Sequence, residues 1–153
     1  MDMAEKLTDA LRENPILLTA RAALALSSRC RKALKGKGID DINPAHLAVL
    51  AALDSVDGLT PSQLARAVRY EKSTLTPILE RLEARALVVR TKDPKDGRLQ
   101  RMYLTKKGRK RRREVEAALD EVTRAIFESL PRKTVKHHVA FCEAVLEGET
   151  DAA

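Results

Sequence analysis

Residues 60–108 read TPSQLARAVRYEKSTLTPILERLEARALVVRTKDPKDGRLQRMYLTKKG. The stretch opens on Thr60-Pro61-Ser62-Gln63. Thr caps a helix, Pro suits its first position, and Gln three residues on closes a capping box. Leu64, Ala65 and Val68 form the inner side of this short helix. Arg69-Tyr70-Glu71-Lys72 connects it to a second helix that starts near Ser73. That helix carries Leu75, Ile78, Leu79 and Leu82 at helical spacing, and shows Lys72, Ser73, Thr74, Thr76, Glu80 and Arg81 on its other face. Leu87 to Thr91 is short and β-branched, which predicts a strand. Asp93-Pro94-Lys95-Asp96-Gly97 is a turn cluster. Leu99 to Leu104 alternates as a returning strand, with Met102 and Leu104 on one face. In order, these predict a helix-turn-helix followed by a β-hairpin wing.

The flanks read as helices that support this unit. Asn43-Pro44 is a cap followed by a helix start, and the helix runs to about Ser55 with Leu47, Leu50, Ala51 and Leu53 inward. Asn14-Pro15 starts a longer helix to about Lys35, ended by Gly36 and Gly38. Its seam of Ile16, Ala20, Ala23, Ser27, Cys30 and Leu34 keeps four- and three-residue steps. Thr105 caps a long helix through about Ser129, whose seam is Val115, Leu119, Val122 and Ile126. Pro131 breaks the chain, and a last helix carries Val135, Val139, Cys142, Val145 and Leu146. Met1 to Glu13 is a short amphipathic stretch, read as helical. The expected organisation is a single domain, 1–153. Within it, 44–108 is the winged lobe, and 1–36 with 109–148 is a helical dimerisation base. The fold class is mainly α with a small β-hairpin.

Composition agrees with packed helices. Of 153 residues, 44% are hydrophobic and only 3% aromatic, with no Trp. No apolar run approaches the ~20 residues that span a bilayer, and the N-terminus lacks the basic-then-apolar pattern of a signal peptide. A cytoplasmic protein with no membrane association is expected. Cys30 and Cys142 make neither a zinc cluster nor a disulfide framework, and read as reduced thiols. From Arg85 to Arg113 there are thirteen Lys/Arg against two Asp, a net +11 on a chain of net +7, which leaves −4 elsewhere. A basic block on an otherwise acidic chain is the footprint of a polyanion-binding face.

The residue types fit double-stranded DNA. A helix lies in a major groove when one face is packed and the other offers short polar groups at its leading end. Ser73, Thr74 and Thr76 supply hydroxyls, Lys72 adds charge at the entry, and Arg81 lies further along the exposed face. Pro77, taken as a first-turn residue, offers an apolar ring to a thymine methyl. The Ser/Thr set also fits plain helix capping, with Ser73 or the residue before it as the cap. In the wing loop, Arg98 flanked by Lys95 and Arg101 suits a narrow minor groove. Asp96 is the odd member. It either hydrogen-bonds the loop backbone, steers Arg98, or belongs to an ordinary Asp-Gly turn. Lys106 to Arg113 is a dense basic run, divided between phosphate-facing and solvated charge.

Asp93-Pro94-x-Asp96-x-Arg98, five residues, Leu104-Thr105, then Gly108 resembles the wing signature of the MarR (multiple antibiotic resistance regulator) family. KSTLTPILERLEARALVVR is similar to that family's recognition helix and first wing strand. The resemblance covers nearly the whole chain, its specific part being the wing. It implies homodimers with interlocked terminal helices, and transcription regulators that are often repressors released by phenolic or lipophilic ligands or by cysteine oxidation. Carried over, Ser73, Thr74, Thr76 and Pro77 fall on the recognition helix, Arg98 on the wing arginine, and Asp96 on its partner. Gly97 departs from the charged residue often found there. The Ser-Thr-Leu-Thr-Pro run is most similar to the branch that senses organic hydroperoxides, but Thr19-Ala20-Arg21-Ala22 holds no cysteine where that branch has its reactive one.

The expected function is therefore a homodimeric repressor on a pseudo-palindromic operator, released by a small lipophilic or phenolic effector. A constitutive or architectural DNA binder and a cysteine-redox-responsive regulator are the alternatives. Enzyme chemistry is not expected. His46, His137 and His138 lack partners at catalytic spacing, adjacent His137 and His138 are not the i, i+4 pair that grips a metal, and no Gly-rich phosphate loop is present. No cofactor is expected.

Overall fold

The computed structural model of the protein describes residues 13–147. The expected helix at Met1–Glu13 lies almost wholly outside them. Six helices and one hairpin occur among the described residues: α1 (Pro15–Gly36), α2 (Pro44–Ser55), α3 (Pro61–Val68), α4 (Lys72–Ala84), β1 (Val88–Lys92), β2 (Gln100–Leu104), α5 (Lys106–Phe127) and α6 (Arg132–Glu147).

Most helix starts are set by the expected caps. Asn14 Oδ1 accepts the Ile16 and Leu17 N–H groups, and Asn43 and Thr60 each close a reciprocal capping box with the third helical residue. Thr105 Oγ1 accepts the Gly108 N–H at 2.9 Å. α4 differs from expectation. It begins at Lys72, because the Thr74 and Leu75 N–H groups both reach the Glu71 carbonyl. Its N-cap is Glu71, with no side-chain cap bond, so neither Ser73 nor the residue before it caps the helix. Pro77 consequently lies inside the helix and not in its first turn. Its missing N–H leaves the Ser73 carbonyl without an i+4 donor.

The strands pair antiparallel, from Val88 opposite Leu104 to Lys92 opposite Gln100. Leu59 adds a bridge to Met102 on the open side of β2, which ties the hairpin to the turn ahead of α3. The core gathers Leu34, Val49, Leu50, Leu53, Leu64, Leu75, Leu82, Leu87, Met102 and Val115. It belongs mainly to α2–α4 and the hairpin, closed by one face of α5. α1 packs along α5, yet it buries only Cys30 and Leu34, and α6 buries nothing. Ile16, Leu17, Leu24, Val139, Phe141 and Val145 stand exposed on these two helices. The seam predicted on α1 is thus largely open to solvent in the single chain.

Candidate nucleic-acid interface

α4 divides cleanly. Leu75, Ile78, Leu79 and Leu82 are buried, while Lys72, Ser73, Thr74, Thr76, Pro77 and Arg81 are all exposed. The burial follows from apolar residues three and four apart, so the polar set is left on the opposite arc. The Ser73 hydroxyl donates to the Glu71 carboxylate at 3.3 Å, and the Thr76 hydroxyl donates to the Lys72 carbonyl at 2.8 Å. These bonds orient both hydroxyls and leave their lone pairs outward.

The wing loop is built around Asp93, which the sequence placed in the turn and the wing signature without a role of its own. The Asp93 carboxylate is buried, and its Oδ1 accepts the Lys95 and Asp96 N–H groups at 2.7 and 2.9 Å. Its Oδ2 accepts the Arg101 Nε. Those bonds, led by the Asp96 and Lys95 N–H groups and followed by Arg101, hold the Asp93 carboxyl below the ordinary carboxylate range. Arg101 also donates to the Gly58 carbonyl at 2.7 Å. Arg101, expected among the DNA-facing residues, is half-buried, and its guanidinium bonds both Asp93 and the Gly58 carbonyl, a strut from the wing to the turn before α3. The usable signal was Asp-Pro-x-Asp, which favours an Asx turn.

Asp96 takes one of its expected roles. Its Oδ1 accepts the Arg98 N–H at 3.0 Å, and its carbonyl accepts the Leu99 N–H at 2.9 Å. It therefore shapes the backbone under Arg98 rather than gripping the guanidinium. The side chains of Arg98 and Lys95 are exposed and make no ion pair among the described residues.

The basic run at the head of α5 behaves differently from expectation. Arg109 pairs with Asp54 at 2.6 Å and Asp57 at 3.2 Å, and Arg112 with Asp54 at 2.9 Å and with Glu116. Arg111 reaches Glu114 and Asp41, and the Lys107 ammonium donates to the Arg85 carbonyl. The Arg109 hydrogen bond lowers the Asp54 pKa, and Asp54 in turn raises that of Arg109. Arg109 and Arg112 therefore clamp α5 to α2. Lys106 and Arg113 make no ion pair among the described residues.

Gly108 explains the end of the wing motif. A Cβ there would meet the Leu87 carbonyl oxygen at 2.1 Å and Leu104 Cδ1 at 2.6 Å. Thr105 donates its N–H to the Leu87 carbonyl and its hydroxyl to the Ala86 carbonyl, so α5 is pinned against the start of β1.

The thiols differ in setting. Cys30 is buried on α1, and desolvation pushes its pKa up, away from thiolate character. Cys142 is half-buried, with Sγ 3.7 Å from His138 Nε2. Among the described residues no three His, Cys, Asp or Glu side chains gather as a metal site, and no helix is long and apolar enough to cross a membrane.

A helix-turn-helix with a pinned hairpin wing defines this lobe as a winged helix-turn-helix. Residues 40–99, most of the winged lobe, match the sequence model of the MarR family. The HTH-type transcriptional regulator SarZ of Staphylococcus aureus is 31% identical over 87 residues, 57% of this chain and 56% of SarZ. The chain thus spans about half the length of the curated relatives it matches. CouR from Rhodococcus jostii RHA1, bound to p-coumaroyl-CoA, superposes with a TM-score of 0.74 at 25% identity, over 89% of this chain and 94% of that one. A structure of the transcriptional repressor CouR on a 23-mer DNA duplex gives a TM-score of 0.74 at 22% identity, over 95% and 97% of the two chains.

Proposed function

We propose that the protein is a homodimeric transcription regulator that binds double-stranded DNA. α4 would enter the major groove and Arg98 the minor groove. The observation that carries this reading is the division of α4: its apolar row is locked in the lobe, and Lys72, Ser73, Thr74, Thr76, Pro77 and Arg81 remain outward beside a wing whose Arg98 is unpaired among the described residues. Groove binding needs that combination of a packed back and a polar leading face.

The open apolar faces of α1 and α6 support a second copy of the chain as partner, since exposed apolar area of this extent is unusual on a monomer. The base is assigned to 1–36 and 109–148 and the lobe to 44–108, as one domain. Two lobes on one base would meet half-sites about one helical turn (~10 bp) apart, and hence a pseudo-palindromic operator. Repression relieved by a small lipophilic or phenolic effector is part of the reading, supported by CouR, which is solved both on a DNA duplex and bound to p-coumaroyl-CoA. The raised Cys30 pKa favours that route over oxidation of Cys30.

Selection of bound fragments from a random DNA library tests this, with sedimentation of the free protein alongside. The expected result is a two-fold symmetric consensus bound by a dimer. Binding with no enriched sequence would replace a regulator with an architectural DNA binder. No binding at low salt would end the reading.

A further inference from the structure

His46 is a buried histidine that the DNA-binding reading does not use. It stands at the third position of α2, where Glu or Gln ordinarily completes a capping box. Its Nδ1 accepts the Asn43 N–H at 3.2 Å, while Asn43 Oδ1 accepts the His46 N–H at 3.0 Å. A neutral imidazole that accepts at Nδ1 carries its proton at Nε2. Nε2 is buried with no hydrogen-bond partner among the described residues, and His46 as a whole is 3% exposed.

The charges around it are unfavourable to an imidazolium. Arg81 of α4 and Arg85 just beyond it both act against protonation, and Asp41 acts for it. Asp41 is itself claimed by Arg85 at 3.5 Å and by Arg111 of α5 at 3.7 Å, although its Oδ1 is buried without a partner. Arg109 and Arg112 of α5 are held at the other end of α2 by Asp54. Desolvation first, then Arg81 and Arg85, lower the His46 pKa.

We propose that His46 makes the joint between α1 and the winged lobe acid-labile: protonation at Nδ1 removes the acceptor on which the capping box at the head of α2 depends. The proton added at Nδ1 points a donor at the Asn43 N–H, so that bond breaks, and a full charge appears in the core. Asn43 lies one residue past Ile42, and Ile39 and Ile42 are the buried anchors of the segment joining α1 to α2. Loosening the cap therefore loosens the joint first. A Glu or Gln at this position would give a box without this sensitivity near neutral pH.

The sign follows from linkage. A histidine whose folded pKa is lowered stabilises the fold fully above its ordinary value of ~6.5. That contribution is lost as pH falls through the folded value, up to about tenfold in the unfolding constant per pH unit for one proton.

The test follows the three histidine Cε1 protons by NMR in the full chain from pH 8 downward, with urea unfolding in parallel. His46 is expected to titrate below the ordinary histidine value of ~6.5. The unfolding constant should rise as pH falls from about 6.5, with a shallower rise in His46→Gln and the parental rise in His137→Gln. Titration of His46 at or above ~6.5 would overturn the proposal, since the imidazolium would then be held by Asp41. An unchanged pH slope in His46→Gln would overturn it equally. Should the Gln variant fail to fold, the titration of the parent protein still decides. Neither measurement involves DNA.

Discussion

Replacing Gly108 with Ala tests how the wing is coupled to α5. The new Cβ would lie 2.1 Å from the Leu87 carbonyl oxygen, where ordinary contact begins near 3.4 Å. The first obstacle is backbone, so no rotamer change relieves it. α5 must back away by more than 1 Å, or Leu87 ahead of β1 must move away from it. Either shift stretches the Thr105 N–H bond to Leu87, now 3.1 Å, and the Thr105 hydroxyl bond to Ala86, now 2.8 Å. Overpacking of this kind costs roughly 1–3 kcal/mol. Weakening the two hydrogen bonds adds about 1 kcal/mol, and the better helix propensity of Ala returns about 1 kcal/mol. The net expectation is a loss of about 1–3 kcal/mol in urea unfolding. Gly97→Ala is the matched control. Nothing lies within 4 Å of a Cβ there and its φ is not positive, so its stability should stay within about 1 kcal/mol of the parent. A Gly108→Ala protein as stable as the parent would refute the reasoning, because the helix would then have room the structure denies it.

Arg98→Ala should weaken specific DNA binding by roughly 1–3 kcal/mol in a gel-shift titration; unchanged affinity would remove the wing from the interface. Neutralising Lys72 and Lys95 together should reduce the salt slope of binding by about 2. The same treatment of Arg109 and Arg112 should leave the slope alone, as both are ion-paired within the fold, and a slope that fell there would assign them to phosphate. For Asp93, a depressed carboxyl contributes stability that is present above its unfolded value near ~4 and lost as pH falls through the folded one. Acid unfolding below about pH 4 should accordingly be less steep in Asp93→Asn than in the parent, and parallel acid limbs would deny the carboxylate its role in the wing.

Features set by neighbours in the chain were legible in the sequence. Asn14, Asn43, Thr60 and Thr105 all cap the helices they precede, because a cap acts over two or three residues. The inner row of α4 and the hairpin were readable for the same reason, since helical and strand periodicities are local. The start of α4 was not. Ser73 suits a cap, but the Glu71 carbonyl captured the first amides, and that choice depends on where α3 ends, at left-handed Arg69.

Other features depended on residues far apart in the chain. The exposed rows that the sequence suggests for a polyanion include Arg101, which is drawn to Asp93 and to a carbonyl 43 residues away. Arg109 and Arg112, part of an unbroken basic run, meet Asp54, and Arg109 also meets Asp57. No spacing rule announces such pairs, because they exist only once α5 lies across α2. His46 was likewise one of three unassigned histidines until folding buried it between Arg81, Arg85 and Asp41. The sequence by itself determined the order of the elements and the polar face of α4, through short-range hydrogen bonding and periodic burial. Only the tertiary structure decided which charges remain available to a partner, because three of the seven basic side chains at the head of α5, Arg109, Arg111 and Arg112, find their counter-charge across the fold.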